Sequence, residues 1–269
     1  MKNKLICIGI LAISCGIFSC VSTPASTEIA DTQFVMPTIK EMVEAGHVIC
    51  RPTNDTLTII GMSNRLVKRS TEVDEAKKDA ARLLSIYQNG VYGVFEYFNQ
   101  SGSAGYFDAM NLRNDDLTYD TDLGKYEEKL SYDPEKDVYV CPKATFVRFT
   151  FTGSLPKINY VAKEDKDGRP IWTKLRDLPV IDGYDVVVGM AQNQMYIRTA
   201  INKSIDAAIT GLIQRKDMSV KTNEMDKMGS GNLIAIYTKS EGKIDNFLVL
   251  EYWFEPNGYV YTLAIARSK

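Results

Sequence analysis

A β-strand pattern that ends in Gly-Met and leads into an amphipathic helix occurs twice in this sequence. Residues 56–62 and 184–190 are rich in β-branched side chains, which is typical of a strand, and the two stretches end at Gly61-Met62 and Gly189-Met190. Because a repeat near 128 residues is far longer than a solenoid unit, it predicts paired domains and not a repeat array.

Each of these strands is followed by apolar side chains that recur at helical spacing. Ser70 or Thr71 can cap the first helix, and Gly90 can end it. The tripeptide Asp-Ala-Ala occurs in both helices, at residues 79–81 and 206–208. The apolar stripes comprise Val73, Ala76, Ala80, Leu83, Leu84 and Tyr87 in the first helix and Ile197, Ile201, Ile205, Ala208 and Leu212 in the second.

Further strand patterns follow each helix, and this order favours an α+β fold over an alternating parallel sheet. We predict two related halves, residues 37–176 and 177–269, each a helix packed on a mainly antiparallel sheet. The alternative is two independent strand–helix units that share common residue types. Residues 157–162 and 170–175 flank a charged turn and predict one more hairpin. The other strand patterns cover residues 91–98, 137–141, 144–151, 218–222, 233–239, 246–255 and 259–266.

The N-terminus has the pattern of a secretory signal. Lys2 and Lys4 precede an apolar run over residues 5–18, which is too short to cross a bilayer comfortably. Ser19-Cys20 follows and resembles a bacterial lipobox, so we predict a lipoprotein signal peptide at residues 1–19, lipidation at Cys20 and a polar tether over residues 20–36. Cys15 is the alternative lipid acceptor.

The charge of the chain argues against nucleic acid as a partner. The 269 residues include 32 basic and 34 acidic side chains, a net charge of −2, and loss of Lys2 and Lys4 with the signal peptide makes it −4. Membrane association is therefore expected to depend on acyl chains and not on basic charge. An apolar content of 45% also excludes disorder over most of the chain.

Two cysteines of the five lie in the predicted folded part, in strand-like surroundings. Cys50 and Cys141 can form a disulfide in an oxidising compartment, or they can be two separate buried thiols. His47, the single histidine, is three residues from Cys50 but no motif for a reactive cysteine surrounds the pair. We expect His47 to end a short helix over residues 38–44.

Residues 183–191, the small residues Ala200, Ser204 and Ala208, and the C-terminal segment 251–264 resemble the LPP-twenty type of bacterial lipoprotein. The resemblance is clearest over residues 180–269 and fainter over residues 56–98. It implies a compact α+β domain with a helix on an antiparallel sheet, tethered to the outer membrane by an N-terminal lipid. The family has no shared catalytic residues to transfer to this chain.

No motif in the sequence points to catalysis, to a cofactor or to a metal. The acidic residues 114–124 do not match the calcium-loop template, because Leu123 takes the place of its glycine and Lys129 that of its closing glutamate. A solvated loop is the better interpretation. Gly229-Ser230-Gly231 lacks the lysine of a phosphate-binding loop and is interpreted as a turn.

Aromatic residues are the remaining candidates for binding a partner. Tyr92, Tyr97 and Phe98 lie in one strand pattern, and Trp172 beside Pro170 is expected at the surface. Core packing explains most such residues, and an exposed aromatic patch for an unknown protein or glycan partner is the functional alternative. The sequence thus favours a non-enzymatic, lipid-anchored envelope protein that acts by binding or in assembly. The alternative is an envelope hydrolase of wall or glycan that uses carboxylates not identifiable in the sequence.

Overall fold

The structure, a computed structural model, describes residues 36–53, 55–102, 110–192, 196–216, 218–225 and 233–268. The described chain begins with a short helix whose first turn is fixed by a capping box. The Thr38 hydroxyl accepts a hydrogen bond from the Glu41 backbone N–H, and the Glu41 carboxylate accepts one from the Thr38 N–H. The predicted role of His47 at the end of this helix is wrong: Ala45 is the C-cap, and His47 starts a strand.

The helices and strands follow in this order: α1 Ile39–Glu44, β1 His47–Ile49, β2 Thr56–Asn64, α2 Glu72–Asn89, β3 Val91–Gly102, β4 Met110–Thr118, α3 Gly124–Glu127, β5 Val138–Val140, β6 Ala144–Thr152, β7 Tyr184–Gln192, α4 Ile197–Lys216, β8 Met218–Met225, β9 Leu233–Ile244, β10 Leu248–Phe254 and β11 Tyr259–Arg267. The predicted α+β class is confirmed, since these helices accompany antiparallel sheets.

Three antiparallel sheets are formed by the described strands. Sheet A has the order β1-β10-β11-β7, sheet B the order β2-β6-β5, and sheet C the order β4-β3-β9-β8. The longest ladder joins β3 to β9 in sheet C, from Val91 opposite Ile244 to Gly102 opposite Leu233. Strands from both predicted halves therefore meet in sheets A and C, and residues 37–269 form one compact unit. The duplication itself stays a prediction.

Helix α2 packs on β2 and helix α4 packs on β7, and both contacts depend on the glycines of the repeated pattern. A Cβ at Gly61 would overlap the carbonyl oxygen of Ala76, and a Cβ at Gly189 would overlap that of Ser204. The side chains of both apolar stripes are buried, except that Val73 and Ile197 are half-buried. The predicted strand and the helix that follows it are thus present at both positions.

Two segments differ from their predictions. Residues 157–162 and 170–175 do not form a hairpin: the structure has an isolated bridge between Glu164 and Pro170 and a 3-10 helix at Ile171–Lys174. The bridge is closed by bonds from Asp165 N–H to Arg169 O and from Ile171 N–H to Lys163 O, and pairing ends where the 3-10 helix begins. The predicted loop over residues 114–124 is also wrong in part, because residues 114–118 belong to β4 and pair with β3. Pairing with an aromatic strand here outweighs the low strand propensity of Asn and Asp.

Candidate functional site

A cleft of about 1040 Å³ lies beside helices α2 and α4. On α2 it is lined by Glu75, Lys78, Asp79 and Arg82, which have the i, i+3, i+4 and i+7 spacing of one helix face. Helix α4 contributes Arg198, Asn202, Lys203, Asp206, Ala207 and Thr210. The other lining residues are Phe95, Leu117, Tyr119, Leu123, Met190, Ala191 and Gln192. Each helix therefore buries one stripe against a sheet and presents a charged face to the cleft.

Asp79 forms the base of this cleft. Its side chain is buried, and its Oδ2 accepts a hydrogen bond of 3.1 Å from the N–H of Met62, which fixes α2 to the end of β2. Burial raises the pKa of the Asp79 carboxyl, and the charges of Arg82 and Arg198 and the bond from Met62 only partly oppose this rise. The carboxylate is thus held in place, but the groups around it do not fully offset the cost of burying its charge.

The two arginines of the cleft are held loosely. Arg198 Nε is 3.7 Å from Asp79 Oδ1, Arg198 Nη1 is 3.9 Å from Glu75 Oε2, and Arg82 Nη1 is 3.8 Å from Asp206 Oδ1. All three distances exceed the range of a hydrogen bond. Arg82 has one direct bond, from Nη2 to Asn202 Oδ1 at 2.8 Å, and its guanidinium lies over the ring of Tyr119.

Arginines elsewhere in the molecule are paired more closely. Arg148 Nε is 2.7 Å from Asp137 Oδ1, Arg69 Nη1 is 2.9 Å from Glu72 Oε1, and Arg51 Nη2 is 3.0 Å from Glu251 Oε1. The cleft arginines thus differ from these three, whereas the exposed Arg176 is also 3.5 Å from its partner Asp177. The long distances in the cleft leave guanidinium N–H groups available to another acceptor.

Two lysines stand at the rim of the cleft. Lys78 Nζ is 3.0 Å from Glu75 Oε1, whereas the exposed Lys203 has no ion pair within the described ranges. With Arg82 and Arg198 the cleft has four basic side chains against three acidic ones, although the whole chain is net negative. The cleft is thus a local site of positive charge.

A second charged cluster is buried in sheet A around Glu251, whose side chain is completely buried. Its Oε2 is 3.0 Å from His47 Nε2 and accepts a 2.8 Å bond from the indole N–H of Trp172, and its Oε1 faces Arg51. His47 Nδ1 is 3.3 Å from Glu164 in the long connection before β7. This cluster fixes that connection to the sheet, and because His47 and Glu251 are only 10% and 0% exposed, we interpret it as structural.

The cysteine candidates lie apart from the cleft lining. Cys50 is buried and Cys141 is half-buried, and both thiols are free in the structure. Burial raises the pKa of the Cys50 thiol, and this argues against a nucleophilic thiolate there. The predicted lipidation site, Cys20, lies outside the described residues.

The aromatic candidates do not form one described surface. Tyr92 is exposed, but Trp172 is only 2% exposed, so its predicted surface position is wrong. The indole is drawn inward by its bond to Glu251. The side chains of Tyr97 and Phe98 lie outside what the structure describes.

Sequence reasoning missed the cleft, although one signal for it was present. The two Asp-Ala-Ala motifs place Asp79 and Asp206 at the cleft, but they indicated only a repeat. Arg82 and Arg198 could have been found as cations on the polar faces of two helices, but nothing in the sequence shows that these faces meet.

Within the described part of the chain, no helix is long and apolar enough to span a membrane, and no group of three His, Cys, Asp or Glu side chains could hold a metal ion. Comparison with family models, curated proteins and solved structures gives no significant match for this chain.

Proposed function

We propose that this protein is a lipid-anchored component of a bacterial envelope that acts by binding a partner in the cleft between α2 and α4. The signal pattern and Cys20 support the anchor, and the repeated strand–helix units support membership of the LPP-twenty type of lipoprotein. On this proposal the acyl chains hold the protein at the outer membrane and the folded part presents the cleft to the partner.

One observation carries the binding role: the guanidinium groups of Arg82 and Arg198 lie beyond hydrogen-bond distance from all the carboxylates they are paired with in the cleft. Buried or half-buried arginines normally satisfy their planar donors with close acceptors. A partner that supplies oxygen atoms would complete these hydrogen bonds, which accounts for an open, charged cleft on a helix pair.

The anchor is tested by metabolic labelling with an acyl-chain analogue. Cys20→Ala is expected to abolish the label, while Cys15→Ala keeps it; a Cys20→Ala protein that still takes up label contradicts the anchor. Protease shaving of intact cells then assigns the protein to the cell surface or to the periplasm.

The binding role is tested in the same cells with a photo-crosslinking residue at one of two exposed positions. Met190 lies at the cleft and Val67 lies outside its lining. We expect cross-linked adducts from position 190, none from position 67, and loss of the adducts when Arg82→Gln is added. Equal adducts from both positions contradict a partner in the cleft.

The second candidate is an envelope hydrolase, and the observation in its favour is that Glu75, Asp79 and Asp206 line one cleft. A glycosidase uses two facing carboxyls, one of which acts as an acid with a raised pKa. The direction of the Asp79 pKa fits that role. Hydrolysis of wall glycan that is lost in Asp79→Asn would favour the enzyme over the binding protein.

A further inference from the structure

We propose that the cleft between α2 and α4 binds an extended, acidic segment of a partner polypeptide. This inference rests on the proposed binding function and adds the chemical class of the partner.

The charge and its placement favour carboxylates as ligands. The four cations Lys78, Arg82, Arg198 and Lys203 exceed the three acids of the cleft, and one of these acids, Asp79, is buried at the base. Glu75 is already paired with Lys78 at 3.0 Å. Asp206 is the one well-exposed acid of the lining, at 46%, and it lies 3.8 Å from Arg82 Nη1, so an incoming anion meets two arginines and Lys203 against this single exposed carboxylate.

The guanidinium groups can each take a carboxylate in two parallel hydrogen bonds. Arg82 uses one Nη2 bond for Asn202, and Arg198 Nε is buried without a hydrogen-bond partner. Arg82 and Arg198 project from different helices and both act on the Asp79 carboxyl, so together they can bind neighbouring carboxylates of one ligand.

The borders of the cleft indicate a polypeptide. β4 and β7 each pair with one strand only among the described strands, so both are edge strands, and Leu117 of β4 and Met190 to Gln192 of β7 line the cleft. An edge strand has backbone N–H and C=O groups that an extended peptide can pair with. An acidic glycan would supply carboxylates but no matching row of backbone donors and acceptors.

The volume and the apolar contacts agree with this partner. About 1040 Å³ is at the upper limit of small-molecule sites and suits several residues of a peptide. Leu123 and the exposed Met190 lie among the charged groups, so alternate side chains of an extended peptide can be apolar.

The test uses the full-length lipidated protein in detergent and a fluorescein-labelled octapeptide of alternating Glu and Val. We expect this peptide to bind, with an affinity that falls as salt is added, and the matched Lys-Val octapeptide not to bind. The double variant Arg82→Gln/Lys203→Gln is expected to lower the affinity at least about tenfold. The control Lys157→Gln/Lys166→Gln removes two exposed lysines outside the cleft lining and should change it by less than about twofold.

Lys203→Gln alone, at an exposed position, provides a second variant in case the double variant loses its fold, and its affinity should fall about threefold or more. Equal binding of both octapeptides, an unchanged affinity in Lys203→Gln, or no binding at millimolar peptide overturns the inference. Tighter binding of oligogalacturonate than of the Glu-Val peptide also overturns it, in favour of an acidic glycan. In each of these cases the acyl labelling and the cross-links at position 190 still test the proposed function separately.

Discussion

Gly189 lies directly beneath the backbone of Ser204, so closely that a Cβ at Gly189 would overlap the Ser204 carbonyl oxygen and lie 2.6 Å from the N–H nitrogen of Ala208. Gly61 has the same relationship to Ala76 in the other helix–strand pair. In both pairs the contacted carbonyl belongs to the residue fifteen positions after the glycine. This equal spacing supports the duplication hypothesis with a geometric argument, because the glycine is required by the packing at both sites.

Gly189→Ala and Gly61→Ala should therefore each destabilise the protein by about 3 kcal/mol, since a helix has to move to admit one methyl group. Urea denaturation measures the loss. Gly124→Ala is the matched control, because a Cβ there meets only Asp122 Oδ1 at 4.0 Å, and it should leave stability unchanged or slightly raise it. A loss below about 0.5 kcal/mol at both strand glycines would contradict the close packing.

The success of the sequence analysis at these elements has a simple physical basis. The apolar spacing of α2 and the β-branched residues of β2 are local features, and a helix and a strand form there as predicted. Thr71 occupies the N-cap of α2 as expected, but its backbone is already helical and not extended as in a usual N-cap, and its side chain accepts no capping bond. Which strands become neighbours is a non-local property, so the local pattern does not predict that β3 pairs with β9.

The buried carboxylate of Glu251 should be the most sensitive position of sheet A. Glu251→Gln leaves Arg51 and His47 facing a neutral amide, and removing one partner of a buried ion pair costs about 3–5 kcal/mol. Denaturation at neutral pH measures this loss. Glu164→Gln is the control, since this acid contacts the other nitrogen of His47 but is half exposed, and we expect less than about 1 kcal/mol. Similar effects of both variants would contradict a central role for Glu251.

The two cysteines should differ in reactivity toward a thiol reagent such as iodoacetamide. Cys141 is half-buried and should be alkylated in the native protein, while Cys50 should react only after denaturation, because burial raises the pKa of its thiol and excludes the reagent. Mass spectrometry of the digested protein identifies the labelled residue. A protein that takes up no label at either position until a reductant is added would instead contain the disulfide that the sequence allows.

The cleft was harder to predict than the fold for a related reason. Asp79 and Arg198 are 119 positions apart, and their contact exists only because α2 and α4 are brought side by side. Sequence periodicity identifies the polar face of each helix but not the neighbour of that face. The charged groups of the site can be counted from the sequence, but the distances between them cannot be derived from it.

Glu72 should make the protein less stable in acid. Burial acts to raise the pKa of its carboxyl, but hydrogen bonds from Thr145, Leu66 and Arg69 together with the charge of Arg65 outweigh burial, and the pKa falls from 4.5 to about 2. Because the folded-state pKa is below the unfolded value, the stabilisation is complete above about pH 5 and is lost as the pH falls to about 2. The free energy of unfolding of the wild type should exceed that of Glu72→Gln by up to about 3 kcal/mol at pH 7, and this difference should disappear as the pH is lowered. Glu135→Gln, at an exposed acid, controls for the loss of one charge, and its difference in stability from the wild type should not change with pH.

Asp79, on the same helix as Glu72, should have the opposite pH dependence. Burial raises the pKa of its carboxyl in the folded state, so the folded protein binds this proton more tightly than the unfolded chain does. The charged carboxylate therefore destabilises the folded state at neutral pH. Asp79→Asn keeps an oxygen that can accept the bond from Met62 and should be at least as stable as wild type at pH 7. Its advantage should shrink as the pH falls through the raised pKa and wild-type Asp79 becomes neutral. Urea denaturation from pH 4 to pH 8 measures this difference, with the half-exposed Asp206→Asn as the control. A loss of more than about 1 kcal/mol in Asp79→Asn at pH 7 would show that the attraction of Arg82 and Arg198 exceeds the cost of burying the charge.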